Sequence, residues 1–432
     1  MTTKPIQAVE SEHTVAWNGS KDFNCDEEPH MFPVEIGTGY PGLQLGSSPE
    51  VIQLGPNLTG CRFEVVRKLG WGEFSSVWLA RVSGCERLDK QYYVFKALTV
   101  SATAALVTGH TFEYACLKEI KKKNPNHPGF QHCTKAIGKF LIRSKHGPHV
   151  CILFEPLGGN LEQLRLNRSP KPVFSIPTVK SIIRQTLLAL DYLHRECKYV
   201  HTDLKPANIL VSFGNKDEEI SRYLQEFPSE TYRPIIEPEI SPDPIITVKS
   251  QSLPNFGLNP ALSNLSIQLS DFGVALPIGN NLPGDQVQPT ALRAPEVILG
   301  HPWSTPIDIW ALGCLILEYI AGCPLFVLYN LAPGSKVTLN DFHLARFEEF
   351  LGPFPVDFLK RCTRRDEYFE KDGTLLRISG IQHIPLEKVI GQYSHIDPMS
   401  IAPIARFMRR CLTIDPLSRP TAQELLEDEW LQ

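Results

Sequence analysis

The segment "KYVHTDLKPANILV", residues 198–211, constrains this chain most strongly, because it places polar side chains of three kinds between two apolar runs. Asp203, Lys205 and Asn208 fall where a loop is expected, since Pro206 prevents a helix from continuing through them. The "ILV" that follows predicts a strand. An acid, a cation and an amide on one rigid loop are suited to handling a phosphate, a metal ion and a proton.

The bulk composition describes an ordinary soluble protein. The chain has 432 residues, of which 42% are hydrophobic and 21% charged, enough for two or three domains of about 150 residues each. Its net charge of −4 gives no reason to expect nucleic acid as a partner. The 11 cysteines include no CxxC pair, which predicts free thiols in a reducing compartment and neither a disulfide framework nor a zinc site.

No segment has the pattern of a membrane anchor. The N-terminus lacks an apolar signal core. The longest apolar stretch, Ile309 to Val327, is interrupted by Glu318, so it predicts a core helix and not a membrane span.

The order of hydrophobic patterns along the chain predicts an α+β fold with two lobes. Residues 1–60 are rich in Gly, Pro and Ser and predict an irregular leader whose last part can pack on the fold. Residues 61–157 contain β-like runs such as "SSVWLARV" and one helical pattern, and residues 158–432 are mainly helical. Residues 214–265 contain seven prolines and no sustained period, which predicts a flexible spacer within the second lobe.

Two features of the first lobe fit phosphate binding. Gly70 and Gly72 in "LGWGEFSSVWLA" would let a hairpin backbone approach a phosphate closely, although a plain β-turn has the same pattern. Lys96 lies in the apolar strand "VFKAL", where it must reach solvent or pair with an anion. Glu119, on the helix that follows, is the candidate partner.

Asp271 in "LSDFGVA" follows an apolar strand and suits a magnesium ligand, because hard cations prefer carboxylate oxygen; a turn-forming Asp is the alternative. Glycine turn, strand Lys, helix Glu, D-x-K-x-x-N and DFG occur in one order, followed by "LRAPE" and "DIWALGC". That joint pattern matches the protein-kinase signature set.

From about Arg62 onward the chain resembles the eukaryotic protein kinases and, more narrowly, the SR-protein kinases of fungal type, which phosphorylate serines in Arg/Ser-rich segments. The segments "RKLGWGEFSSVWLA", "FEPLGGNL", "HTDLKPANIL" and "FHLARFEEFLG" carry the resemblance. It implies a bilobal kinase fold and a Ser/Thr protein kinase that uses ATP and Mg²⁺. Lys205 within "DLKPAN" is typical of Ser/Thr kinases.

The resemblance also assigns roles to residues. Lys96, paired with Glu119, would hold the ATP phosphates. Asp203 would orient the substrate hydroxyl and accept its proton, and Lys205 would steady the γ-phosphate. Asn208 and Asp271 would hold magnesium. The nucleotide-binding residues would be Leu69, Gly70, Gly72, Val77, Val94, Lys96, Phe154, Glu155, Leu157 and Leu210.

Further roles concern the substrate and the frame of the second lobe. The candidate substrate-binding residues are Thr290, Arg293, Asp341, Glu348 and Glu349. Phe342 stands where the family pattern suggests an acid. The same acids would also occur on a helix face that is simply exposed to solvent. By the same resemblance, Glu296 and Arg419 would form a buried ion pair, and Asp308 would anchor the catalytic loop. Lys123 stands where the family usually has an apolar residue behind the helix.

Thr202 replaces the Arg that most switchable kinases place before the catalytic Asp to grip an activation-loop phosphate. This predicts activity without activation-loop phosphorylation. Two alternatives stay open: a Ser/Thr kinase with other basic or Pro-directed substrates, and a pseudokinase scaffold. The expected partners are Arg/Ser-rich proteins, with no direct nucleic acid and no membrane, and a monomer is expected. The resemblance implies a location in cytoplasm and nucleus.

Overall fold

The computed structural model describes residues 39–168, 171–236, 244–280, 286–328 and 334–432. The strands are β1 (Glu50–Leu54), β2 (Arg62–Gly72), β3 (Ser75–Ser83), β4 (Tyr92–Leu98), β5 (Gly138–Ser144), β6 (Gly147–Phe154), β7 (Tyr199–Val200), β8 (Ile209–Val211), β9 (Ile267–Leu269) and β10 (Leu276–Pro277). The helices are α1 (Val100–Val107), α2 (Glu113–Lys122), α3 (Leu161–Leu166), α4 (Ile176–Asp191), α5 (Asp217–Glu226), α6 (Pro295–Ile298), α7 (Pro306–Ala321), α8 (Leu339–Leu351), α9 (Val356–Lys360), α10 (Arg365–Tyr368), α11 (Leu386–Ile390), α12 (Pro398–Cys411) and α13 (Ala422–Leu426).

The N-lobe is an antiparallel sheet whose described strands run in the order β1-β5-β6-β4-β3-β2. Alternating side chains at the start of β2, among them Phe63 and Val65, are buried, as the period of two predicted, whereas β4 is buried on both faces. The rings of Phe63 and Phe140 stack at 4.2 Å between centroids in this core. Strand β2 is the last strand at one side of the sheet, so the glycine-containing turn between β2 and β3 lies at the margin of the sheet.

The last part of the leader packs on the fold, as expected, but it is more regular than the prediction of an irregular leader over residues 1–60. Strand β1 pairs with β5, and Tyr40 and Leu58 are buried on the sheet. The short strand has little apolar periodicity of its own, because its side chains are only partly buried. Its partner strand lies some 90 residues later, which a local pattern cannot reveal. Residues 1–38 of the leader lie outside the described residues.

The C-lobe is built around helix α7, and every residue from Ile307 to Ile320 is buried. Its Glu318 is neutralised by the guanidinium of Arg165 at 3.3 Å, which confirms the prediction of a core helix. Within the described ranges, no helix is long and apolar enough to cross a membrane. Helix α4 presents a stripe of buried side chains, Ile183, Leu187 and Leu190, to the same core.

The structure corrects the prediction of a flexible spacer over residues 214–265 for the parts it describes. Helix α5 lies within it, and the carboxylate of Asp217 accepts hydrogen bonds from the backbone N–H groups of Gln91 (2.7 Å) and Tyr92 (3.2 Å). Ile220 is fully covered against the N-lobe. The segment lacks a long apolar period because it packs on the two lobes through scattered contacts and not through a continuous face.

Two cysteines depart from the prediction of free thiols. Cys61 and Cys85 form a disulfide, with their Cα atoms 4.5 Å apart. They flank the hairpin of β2 and β3, whose antiparallel pairing brings positions 24 residues apart to the same place. The other described cysteines are free, and most are buried.

Candidate active site

A cavity of about 840 Å³ lies between the two lobes. Strands β2, β3 and β4 supply its upper wall, and the segment after β6, the start of β8, helix α2 and other segments line the rest. Every residue predicted to bind the nucleotide or the metal lines this cavity, namely Leu69, Gly70, Gly72, Val77, Val94, Lys96, Phe154, Glu155, Leu157, Asn208, Leu210 and Asp271. Residues up to 202 positions apart thus meet in one cleft.

Lys96 is the electrostatic centre of the cleft. Its Nζ lies 2.6 Å from Oε1 of Glu113 and 2.8 Å from Oδ1 of Asp271. The Lys96 ammonium lowers the pKa of Asp271 to about 2. Burial disfavours the Lys96 ammonium, but the two carboxylates outweigh it and raise its pKa. The lysine is therefore charged and fixed in place, and it joins the sheet, helix α2 and the loop after β9.

The prediction that Glu119 pairs with Lys96 is wrong. Glu113, in the first turn of α2, is buried beside Lys96, whereas Glu119 lies two turns further on and pairs with Lys123 at 3.5 Å. Both glutamates follow the lysine strand in a helical sequence. The order of charges along the chain does not show which glutamate pairs with Lys96. That choice depends on how α2 packs against the sheet, which determines the glutamate that points into the cleft.

The corrected register also explains Lys123. Counted from Glu113, the position one turn along the helix is Leu117, which is apolar, buried and part of the cavity wall. Lys123 instead caps the C-terminal end of α2, with its side chain 44% exposed. When Glu113 takes the place of Glu119 as the partner of Lys96, the expected family positions on α2 move by six residues. Lys123 then no longer occupies the position where an apolar residue is expected.

The catalytic loop between β7 and β8 is held by its own side chains. Asn208 Nδ2 donates to the backbone oxygen and to Oδ2 of Asp203, both at 2.9 Å, and Lys205 Nζ lies 2.9 Å from the same Oδ2. The Asp203 carboxylate is partly exposed at the edge of the cleft. It is therefore oriented by two donors and accessible to an incoming hydroxyl.

Asp308, at the start of α7, anchors this loop, as predicted. Its carboxylate accepts the backbone N–H groups of His201 (2.8 Å) and Thr202 (3.0 Å) and faces His194 Nε2 at 2.8 Å. Burial alone would raise the pKa of Asp308, yet these partners, His194 foremost, lower it overall. A buried carboxylate at the start of α7 thus holds the backbone just before Asp203.

Asn208 and Asp271 offer hard oxygen donors suited to Mg²⁺. Because Asn208 Nδ2 is bound to Asp203, its Oδ1 is left for a cation, and the Asp271 carboxylate is about half exposed toward the cleft. Among the described residues, no cluster of three His, Cys, Asp or Glu side chains forms a metal cage. Mg²⁺ in nucleotide sites commonly takes one or two protein ligands plus phosphate oxygens, and this donor set fits that mode.

The segment after Asp271 is positioned by neutral hydrogen bonds. Thr202 Oγ1 donates to the backbone oxygen of Val274 at 2.8 Å. Gln288, buried at a φ of 69°, donates to Ile307 O and accepts the N–H of Ala294. In the sequence, Thr202 stands out only by its lack of charge, and Gln288 carries no signal of this role.

Two of the predicted substrate residues lie in this same segment. The guanidinium of Arg293 donates to the backbone oxygens of Val287 (3.1 Å) and Gln288 (3.0 Å), so it shapes the segment from within. Thr290 begins the short 3-10 turn Thr290–Leu292 and is partly exposed. Its hydroxyl stays a candidate for substrate contact.

The acids predicted to bind substrate arginines differ in their availability. Asp341 is buried, closes a capping box with Thr338 and pairs with Arg377 at 2.6 Å, so its prediction as a docking acid is wrong. Glu349 pairs with Arg346 on its own helix. Glu348 is partly exposed and has no charged partner within the described part of the chain, and burial raises its pKa.

The glycine-containing turn has a contact that sequence analysis missed. The hydroxyl of Tyr40 donates to the backbone oxygen of Gly72, and its ring meets Trp71 edge-on at 6.4 Å between centroids. Tyr40 is 3% exposed although it belongs to the leader. The signal available in the sequence was a large aromatic residue within a Gly- and Pro-rich stretch.

The arrangement matches that of known phosphotransferases. The model for the protein kinase domain matches residues 63–222 and 258–431. A crystal structure of another kinase domain superposes with a TM-score of 0.62 and 25% identity, and it covers 92% of this chain and 100% of its own. The chain belongs to the protein kinase family, and membership implies ATP as the phosphoryl donor.

Within that family, the chain is a Ser/Thr protein kinase of the SRPK type. It is 30% identical to the serine/threonine-protein kinase SRPK of Physarum polycephalum over 85% of both chains. It is 28% identical to protein kinase dsk1 of Schizosaccharomyces pombe, over 88% of this chain and 82% of that protein. SRSF protein kinase 3 of Mus musculus is 25% identical over 88% of each.

Proposed function

We propose that this protein transfers the γ-phosphoryl group of ATP, with Mg²⁺, to serines of Arg/Ser-rich proteins. The observation that carries the catalytic part is the ion network in which Lys96 contacts both Glu113 and Asp271 beside the Asp203 loop. Phosphoryl transfer requires positioning and charge neutralisation more than covalent chemistry, and this network supplies both.

The chain's own residues divide the work. Lys96, fixed by two carboxylates, would bind phosphate oxygens under the glycine-containing turn. Asn208 and Asp271 would hold Mg²⁺, which neutralises the phosphates when bound. Asp203 would accept a hydrogen bond from the serine hydroxyl and take its proton, and Lys205, 2.9 Å from Asp203 Oδ2, would meet the charge that develops on the transferred group.

The Arg/Ser-rich substrate class is supported by the relatives and by one surface feature. Several relatives are named SRSF protein kinases. Glu348 on α8 is a partly exposed carboxylate without a described partner, so it is available to a substrate arginine. Since Asp341 and Glu349 are already paired, we infer that arginine recognition is weaker and depends more on Glu348 than a three-acid groove would allow.

The decisive assay offers radiolabelled ATP and Mg²⁺ with an Arg/Ser peptide beside a Pro-directed peptide. We expect label on the Arg/Ser peptide. Asp203→Asn should lower the rate on the order of 10³-fold, the size expected when a general base is lost, while nucleotide binding stays native. Glu348→Gln should raise KM for the Arg/Ser peptide and leave KM for ATP unchanged.

Each outcome separates the candidate functions. Preference for the Pro-directed peptide would replace the substrate proposal but retain the kinase. ATP binding without transfer to either peptide would favour a scaffold. Transfer that survives Asp203→Asn would remove Asp203 from its role as base.

We also propose that the kinase is active without phosphorylation of its activation segment. The support is a hydrogen-bond network without a phosphate, in which Thr202, Gln288 and the Arg293 guanidinium bind backbone oxygens in and around the segment. Other kinases tie this segment through an activation-loop phosphate and the arginine before the catalytic Asp. Phosphatase treatment should leave most activity intact. Gln288→Ala should lower kcat about tenfold with little change in ATP affinity, since it removes two buried hydrogen bonds from the segment. Loss of most activity after phosphatase would contradict the proposal.

A further inference from the structure

The nucleotide cavity has a wall that comes from the insert at 214–265. Ser252 and Leu253 line the cavity together with the predicted nucleotide residues. Leu253 is 2% exposed and packs in one cluster with Val94 and Leu79, with Leu69 and Val77 against it. The match to the protein kinase domain skips residues 223–257, so this wall lies outside the part of the chain that the family model describes.

Hydrogen bonds attach the wall to both sides of the cleft. On the N-lobe side, the backbone N–H of Gln251 donates to Lys68 O at 2.9 Å, and Ser250 forms a parallel bridge with Lys68. The insert thereby covers part of the free edge of β2, two residues before Gly70. The unpaired groups of an edge strand are suited to accept such an added segment.

On the other side, the wall is attached to the segment that follows β6. Asn255 Oδ1 accepts the backbone N–H of Gly159 at 2.8 Å. A Cβ on Gly158 would lie 2.2 Å from the same oxygen, so only glycine allows this approach. The first glycine in "PLGGN", Gly158, therefore makes room for Asn255.

Other contacts show that the insert is held in place over a wider area. The fully buried Arg67 of β2 donates to Ser229 Oγ at 3.2 Å and to the backbone oxygen of Phe227, and its guanidinium lies over the ring of Tyr223. The wall is thus one part of a segment packed along the N-lobe and not an isolated loop tip.

We propose that residues 250–256 form a built-in fourth wall of the nucleotide site, in which Leu253 contacts the bound nucleotide and Asn255 is a positioning residue that aligns the wall with the segment after β6. The proposal rests on the proposed function only in taking ATP as the ligand. The wall makes one side of the pocket apolar and fixed, and it ties the glycine-containing strand to the C-lobe.

The test measures Kd for ATP with Mg²⁺ by calorimetry on the full chain. Leu253→Ala should weaken ATP binding about fivefold, since it removes apolar contact area from the pocket wall. Leu265→Ala is the matched control, because Leu265 is another buried leucine of the same insert, and it packs in the C-lobe core. It should leave Kd unchanged while lowering the melting temperature.

Asn255 provides a second, independent variant pair. Asn255→Ala should weaken ATP binding, whereas Asn255→Asp keeps an acceptor for the Gly159 N–H and should restore most of the affinity. This pair decides the matter if Leu253→Ala does not fold.

Native affinity in folded Leu253→Ala, or an equal loss in Leu265→Ala, would overturn the proposal. So would equal affinities of Asn255→Ala and Asn255→Asp. If the native chain binds no ATP, this inference and the proposed function both fail. If it binds ATP, the variants test the wall alone, whichever peptide is phosphorylated.

Discussion

At the scale of single residues, the position of Lys96 in the cleft depends on its two ion pairs. Its ammonium meets Glu113 and Asp271 at 2.6 and 2.8 Å, and burial makes an unpaired charge there costly. The residue types in this site were predicted from the sequence. The choice between Glu113 and Glu119 was not, because both lie on the same helix and only its docking against the sheet distinguishes them.

Glu113→Gln and Glu119→Gln form a matched pair that tests this correction. Glu113→Gln should lower kcat/KM for ATP about 10- to 100-fold, because Lys96 loses the carboxylate that positions it for the phosphates. Glu119→Gln removes only a partly exposed pair with Lys123 and should have little effect. Steady-state kinetics measure both, and a larger effect at Glu119 would restore the original assignment.

At the scale of elements, helix α8 packs an unusual side chain against the core. His343 is 1% exposed and lies against Phe347, with ring centroids 4.3 Å apart. Neither ring nitrogen has a hydrogen-bond partner among the described residues. Burial, with a smaller effect of the Arg293 charge, lowers the pKa of His343 to about 3. The helix therefore holds a neutral imidazole in an apolar site.

This predicts a specific acid sensitivity. The unfolded chain binds a proton at His343 below pH 6.5 and the folded chain does not, so stability falls as the pH falls from 6.5 toward 3. Between pH 6.5 and 5 the loss is about 2 kcal/mol. His343→Phe should remove this part of the pH dependence of urea unfolding, whereas His383→Phe, at an exposed position, should retain it. Parallel curves for native and His343→Phe protein would contradict the prediction.

The insert is the element that the sequence described least well. Its prolines and polar residues predicted a flexible spacer, yet α5 and residues 244–265 pack on the two lobes. The reason is physical: Asp217, Leu253 and Asn255 contact distant segments as isolated side chains, and isolated contacts leave no periodic pattern in the sequence. The same applies to β1, whose partner strand β5 is remote.

At the scale of the whole molecule, a buried ion pair joins distant parts of the C-lobe. Arg419 donates to both carboxylate oxygens of Glu296, at 2.6 and 3.0 Å, and both side chains are 0% exposed. Arg419 also donates to the backbone oxygens of Thr413 and Pro306. This confirms the predicted pair and connects α6, α7 and the segment after α12.

Arg419→Met should therefore destabilise the fold by about 3–5 kcal/mol, because it leaves the Glu296 carboxylate buried without a partner. The double variant Glu296→Leu/Arg419→Met should recover part of that loss. Arg406→Met removes an exposed pair with Glu429 and should cost at most about 1 kcal/mol. Urea unfolding measures all three. A loss below about 1 kcal/mol for Arg419→Met would show that the pair does not brace the lobe.

By itself, the sequence determined the α+β class, the two lobes, the order of the chemical motifs and, through the family resemblance, the nucleotide- and metal-binding residues that line the cleft. These follow from local patterns, because strand and helix periods and short loop motifs are encoded over a few neighbouring residues. Only the tertiary structure decided that Glu113 meets Lys96, that Asp341 is committed to Arg377, and that the insert supplies Leu253 to the nucleotide cavity and joins Asn255 to Gly159. Each of those contacts joins segments that are distant in sequence, and their geometry depends on how whole elements pack.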